Sequence, residues 1–209
     1  MELVKYNNNS ISSVTALGSL SSGSLNLIKT TTASSASTVD LNHGSSGVVL
    51  DGTYDTYLFK LINIHVSNNA VDFSVNFSTD NQSTAAVKTT THFMAYHNES
   101  GSSTSLEYRA GNDVANAAGD ANLADNVGNH SDASLSGELF LFSPSNTTFA
   151  KHFITKVNFM EQDSTPYTMN AYSAGYVNVT AAVNSVRFLT SAGTFDGTIK
   201  LYGLSKSWV

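Results

Sequence analysis

The sequence predicts an all-β protein, an antiparallel two-sheet sandwich of jelly-roll-like type with an extended N-terminal arm. Three observations carry this. Apolar and polar residues alternate over short stretches such as Val71-Asp72-Phe73-Ser74-Val75-Asn76-Phe77-Ser78, the period of a strand with one face in a core and the other in water. Turn-forming residues separate such stretches at hairpin-scale spacing, and both prolines, Pro144 and Pro166, fall in turns. Strands do not alternate with helical patterns, so a parallel sheet is not expected.

In chain order, residues 1–24 are rich in Ser, Asn and Gly with scattered single apolars (Ile11, Val14, Leu17, Leu20). They read as an arm or irregular lead-in, and the spaced apolars suit docking on a neighbouring subunit. Residues 25–209 read as one domain, a size at which a β sandwich buries a single good core. Strands begin from Leu25. The stretch 56–66 (TYLFKLINIHV) is apolar on both faces and reads as a central strand covered on both sides. The polar turn Ser67-Asn68-Asn69-Ala70 then joins it to the strand 71–78 as a β-hairpin.

Further strands are expected at 88–97, 136–142, 150–160, 169–179, 185–190 and 198–204. Turns fall at Ser143-Pro144-Ser145-Asn146, at Asp163-Ser164-Thr165-Pro166, at Ala192-Gly193-Thr194 and at Asp196-Gly197. Phe140, Phe142, Phe149, Phe153 and Phe159 are assigned to the core. Residues 98–133 break the pattern: small, acidic, with a weak helical period in Val114, Ala117, Ala118, Ala121 and Ala124 that Gly119 interrupts. They read as a long loop, the kind of segment that tends to carry function.

Composition restricts the function classes. Charged residues make up 12% of the chain, about half the usual share, and Ser, Thr, Asn and Gly take their place. Such a surface suits packing in many copies, where repeated like charges would add up. A net charge of −6, with no Lys or Arg between Arg109 and Lys151, argues against a nucleic-acid partner. The absence of cysteine removes disulfides, thiolate metal sites and cysteine nucleophiles. Met1–Asn7 has no basic stretch leading into an apolar one, so no signal peptide is expected, and no apolar run reaches the roughly 18 residues of a membrane span.

Chemistry-bearing patterns are sparse. No Gly-x-Ser-x-Gly elbow occurs, and Lys29-Thr30 and Lys88-Thr89 lack the glycines of a phosphate loop. His43, His65, His92, His97, His130 and His152 show no metal-ligand spacing, and His92 and His97 fall on opposite faces of one strand. Asp51 with Asp55, and Glu99 with Glu107, are the nearest approach to a glycosidase acid pair, yet Asp51-Gly52 is explained by turn chemistry. Asp113, Asp120, Asp125 and Asp132 could offer calcium ligands but do not match an EF-hand, and a solvated acidic loop is the plainer reading. Catalytic residues, cofactor-binding residues, metal ligands and cofactors are therefore all expected to be none.

Several stretches together resemble structural proteins of marine tailed bacteriophages. They are Gly197-Thr198-Ile199-Lys200-Leu201-Tyr202-Gly203-Leu204, the Asn/Ser-rich lead-in 1–24, the block TYLFKLINIH with Tyr54 and Asp55 before it, and Phe142-Ser143-Pro144-Ser145-Asn146-Thr147-Thr148. The resemblance spans most of the chain. It implies a virion protein made in the bacterial host cytoplasm and carried on the particle surface, as head decoration or in a tail fibre. It brings no catalytic residue with it. The short single domain without a repetitive shaft favours head decoration. By analogy with such proteins a homo-oligomer, a trimer, is expected, with the major capsid protein as partner and no membrane contact. The alternative is a tail-fibre or receptor-binding module that contacts host-surface glycans through Tyr167, Tyr172, Tyr176 and the 98–133 loop. An enzyme on the same scaffold, such as a depolymerase, is the third reading.

Overall fold

The computed structural model describes residues 24–161 and 166–204. Except for Ser24, the expected arm lies outside the described residues, as do 162–165 of the expected turn at 163–166. Twelve strands follow one another. They are β1 (Leu25–Ala36), β2 (Thr38–Asn42), β3 (Thr56–Val66), β4 (Val71–Ser78), β5 (Lys88–Asn98) and β6 (Thr104–Tyr108). The second half holds β7 (Ala121–Val127), β8 (Leu135–Phe142), β9 (Lys151–Met160), β10 (Tyr167–Val177), β11 (Ser185–Thr190) and β12 (Phe195–Leu204). An eight-stranded sheet has the order β1-β12-β3-β8-β9-β10-β5-β6, and a four-stranded sheet the order β2-β11-β4-β7. Every strand pair is antiparallel. The fold is an all-β sandwich, as the sequence predicts. No helix long and apolar enough to cross a membrane occurs among the described residues.

The core lies between the sheets and is stitched by aromatic rings. Phe188 on β11 lies 5.7 Å from Phe59 on β3 and 6.3 Å from Phe73 on β4. Phe77 on β4 meets Phe153 on β9 at 4.8 Å. Each ring comes from the strand parity that the alternating pattern assigns to the interior.

Several expectations are corrected. β3 and β4 do not form a hairpin, because β3 pairs with β12 and β8 while β4 pairs with β11 and β7. The turn at 67–70, ending in Ala70 at a φ of 58°, carries the chain from one layer to the other. A hairpin across this turn would put β3 and β4 side by side in one sheet, whereas the crossover sets Phe59 and Phe73 on opposing sheets of the same core. The Asp196-Gly197 turn is instead a bulge within β12, where the register against β3 shifts between Asp196 and Thr198. Gly197 adopts a φ of 140° there, against Ile64.

The 98–133 loop contains two strands, β6 and β7. β6 hides from pattern reading because it is an edge strand with exposed Leu106 and Tyr108. β7 hides because its core side chains include the small Ala121 and Ala124. Finally, Phe149 is 70% exposed, and Phe140 and Phe142 are half-buried, so only Phe153 and Phe159 of the five assigned phenylalanines are core.

The polar face of β4 also departs from expectation. Asn76 and Ser78 are buried rather than wet. Asn76 donates to Asp120, which comes from the segment leading into β7, so this segment roofs the small sheet.

One buried charge holds the β10–β11 connection. Lys151 at the start of β9 donates from Nζ to the carbonyls of Val179, Thr180 and Ala181 at 3.0, 2.8 and 2.6 Å. Three acceptors match the three protons of an ammonium group. Lys151→Met should lower stability by about 1–2 kcal/mol, since the packing stays while these bonds are lost. Urea unfolding of both proteins tests this, and equal midpoints would show the cage to be unimportant.

Candidate interaction face

The outward face of the eight-stranded sheet can be read from the strand registers. One row crosses it as Leu27, Tyr202, Leu58, Phe140, Ile154, Ala174 and Thr91. The next row runs Thr30, Lys200, Lys60, Glu138, Lys156, Tyr172, Phe93 and Tyr108. These positions alternate with the core residues on each strand, which fixes their direction.

The exposed large apolar and aromatic side chains of the described residues concentrate on this face. Leu25, Leu27, Ile62, Phe93, Leu106, Tyr108, Ile154 and Tyr176 all occupy its strands, and Phe149 stands in the β8–β9 connection beside Phe142. A sheet face of a monomer that points to water is normally polar. Here β3 is apolar on both faces as the sequence predicts, but its outer face is covered only in part: Leu58 is buried, whereas Ile62 is 38% exposed. Within the second row Lys60 and Glu138 form an ion pair at 2.5 Å. Lys156 Nζ sits 5.8 Å from the Tyr172 ring centre. The Tyr172 and Phe93 rings are stacked 9° from parallel, with centres 5.0 Å apart. Ring faces thus turn toward each other along the row and present edges outward.

The outer face of the four-stranded sheet is different. Arg187 makes a bidentate bond to Asp40 at 2.6 and 2.7 Å. Asp72, Asp113 and Asp120 line a polar hollow of about 220 Å³ with Asn122 and Ser191. Burial, reinforced by the charge of Asp125, pushes the Asp72 carboxyl above the ordinary range.

Where β7 meets the large sheet, a polar seam runs through the interior. His92 and Ser173 are fully or nearly fully buried, with His92 Nδ1 2.6 Å from Ser173 Oγ. Ser173 Oγ donates to the Asn122 carbonyl at 2.7 Å, so the imidazole must supply the proton between them. That polarity is the reverse of a base activating a serine nucleophile. Burial lowers the His92 pKa. Beside the seam Arg109 pairs with Asp125 at 2.6 Å and Glu107 at 3.1 Å.

The other sequence candidates scatter. Asp113 accepts from Tyr108, Asp125 is held by Arg109, and Asp132 is exposed, so the four acids do not converge. Asp51 is a turn acid whose carboxyl is held below the usual range by the Thr53 hydroxyl and by the Thr53 amide, which donates to it at 2.8 Å. Glu107 is taken up by Arg109, and the Glu99 amide bonds the Pro166 carbonyl. His92 and His97 do fall on opposite faces, buried and exposed. Among the described residues, no group of three His, Asp or Glu side chains is placed to hold a metal ion. Tyr172 and Tyr176 lie on the outward face, whereas Tyr167 packs against Tyr96 at 5.7 Å.

Sequence reading missed the outward rows. Their signal was present as apolar residues on both parities of 56–66, but pairing order, which brings distant strands into one row, cannot be read from spacing. Comparison with protein-family models, with curated proteins and with solved structures finds no match to this chain.

Proposed function

We propose that this chain is a non-enzymatic structural protein that assembles through the outward face of its eight-stranded sheet, as a surface component of a bacteriophage particle and foremost as head decoration. The observation that carries the assembly reading is the concentration of exposed apolar side chains on that one face. Patches of this kind on a soluble chain mark contact surfaces. The stacked rings support a protein partner over a glycan, since a sugar-binding platform needs ring faces open to the ligand. The phage assignment is supported by the sequence resemblance and by a weakly charged surface suited to repeated packing.

The test is location and copy number in purified phage particles, by immunogold labelling and quantitative mass spectrometry against the major capsid protein. Hundreds of copies over the head are expected. A handful at the tail would make it a fibre or receptor-binding part, and absence from particles would sink the particle assignment.

A further inference from the structure

We infer that the occupant of this face is a second copy of the chain, docked face to face about a two-fold axis that runs along the strands between β8 and β9. The inference rests on the reading of the face as an assembly surface. It replaces the trimer expected by analogy with a pair, and the reason is a charge pattern.

β8 and β9 are the fourth and fifth of eight strands, so this axis passes through the middle of the sheet. Rotation about it lays the charged row on its own reverse. Glu138 then faces Lys156 of the partner copy, Lys60 faces Tyr172, and Lys200 faces Phe93. The basic half of the row therefore meets the aromatic half, and the one carboxylate meets an ammonium. Ion pairing favours the opposition of Glu138 and Lys156, and the alkyl stems of Lys60 and Lys200 pack on the outward ring edges of Tyr172 and Phe93 with no like charge opposed. In the neighbouring row Phe140 faces Ile154, and Leu58 faces Ala174, whose small side chain helps form a shallow trough of about 480 Å³.

Neighbouring registers are worse. An axis on β8 sets Glu138 against its own copy, and an axis on β9 does the same to Lys156. An axis between β3 and β8 brings Lys200 against Lys156. An axis between β9 and β10 leaves Glu138 facing Phe93. The first three of these registers are excluded by like-charge opposition, and the fourth leaves the one carboxylate of the row without a cation across the interface.

The area also suffices. Eight strands at a spacing of about 4.8 Å span about 34 Å, and three outward rows add a depth of about 20 Å. That is about 700 Å² in projection, close to the ~800 Å² per partner of a standard stable interface.

The chain contains no cysteine, so single cysteines report the geometry directly. Lys200→Cys and Phe93→Cys chains, mixed and treated with a short bismaleimide, should give a cross-linked pair. Either variant alone should not, because each position lies five strand spacings, about 24 Å, from its own copy. In parallel, sedimentation equilibrium of the unaltered chain should show a concentration-dependent dimer. Lys156→Glu, at an exposed position, should weaken that dimer at least tenfold while leaving the circular dichroism spectrum unchanged.

A chain that stays monomeric, a dimer that does not cross-link in the mixture, or a dimer indifferent to Lys156→Glu would each overturn the inference. So would a monomer that uses this face for a glycan. A monomer found in particles would overturn the pairing and leave the virion role standing; a dimer absent from particles would do the reverse.

Discussion

Replacing Phe188 by alanine should destabilise the protein by about 3–5 kcal/mol, a large fraction of the 5–15 kcal/mol that holds a typical domain folded. Phe188 is fully buried and belongs to the four-stranded sheet. Its ring lies nearly parallel to Phe73 of the neighbouring strand, at 11°, and reaches across the core to Phe59 of the other sheet. Truncation removes a ring from the contact between layers and leaves a cavity that two hydrogen-bonded sheets cannot collapse to fill. Phe149→Ala is the internal control, since that ring is 70% exposed and its loss should change stability by about 0.5 kcal/mol or less. Urea unfolding of the three proteins would decide it. A loss at Phe188 no larger than at Phe149 would mean that the sheets are held together elsewhere.

The contrast between these two phenylalanines marks what was legible in the sequence. Strands that alternate cleanly, or that carry large β-branched and aromatic residues, are visible from period alone, and β3, β4 and β11 fall where the pattern puts them. A period gives the parity of a side chain, not the sheet in which its strand sits. For that reason β3 and β4 looked like a hairpin although each pairs elsewhere. β6 and β7 were illegible for opposite reasons, the one apolar on its exposed side and the other built partly of small core residues. The candidate face was half legible. Leu58 and Ile62 betrayed a second apolar surface on β3, but the row that places Lys60 beside Glu138, and Glu138 beside Lys156, exists only once β3, β8 and β9 lie side by side.

A difference between that surface and the interior appears in the lysines. Those on the outward face keep water around their charge, whereas Lys88 is fully buried and gives one hydrogen bond, 2.6 Å long, to the Gly119 carbonyl. Burial lowers its pKa to about 8, and the charge of Asp120 only partly opposes this. The unfolded chain keeps this proton up to the ordinary lysine value near 10.4. Between these pH values unfolding takes up a proton, so the stability of the folded state should rise with pH across that window. Against Lys88→Met, which carries no charge at this position, the gain should amount to about 2–3 kcal/mol between pH 7.5 and 10.5. Tyr57, whose pKa burial pushes up to about 12, acts in the opposite sense above pH 10, but it is common to both proteins and cancels in the difference. Chemical denaturation at half-unit pH steps measures that difference. Parallel stability curves for the two proteins would show that Lys88 holds its proton as firmly inside the fold as in water, and that the Gly119 carbonyl and Asp120 fully offset its burial.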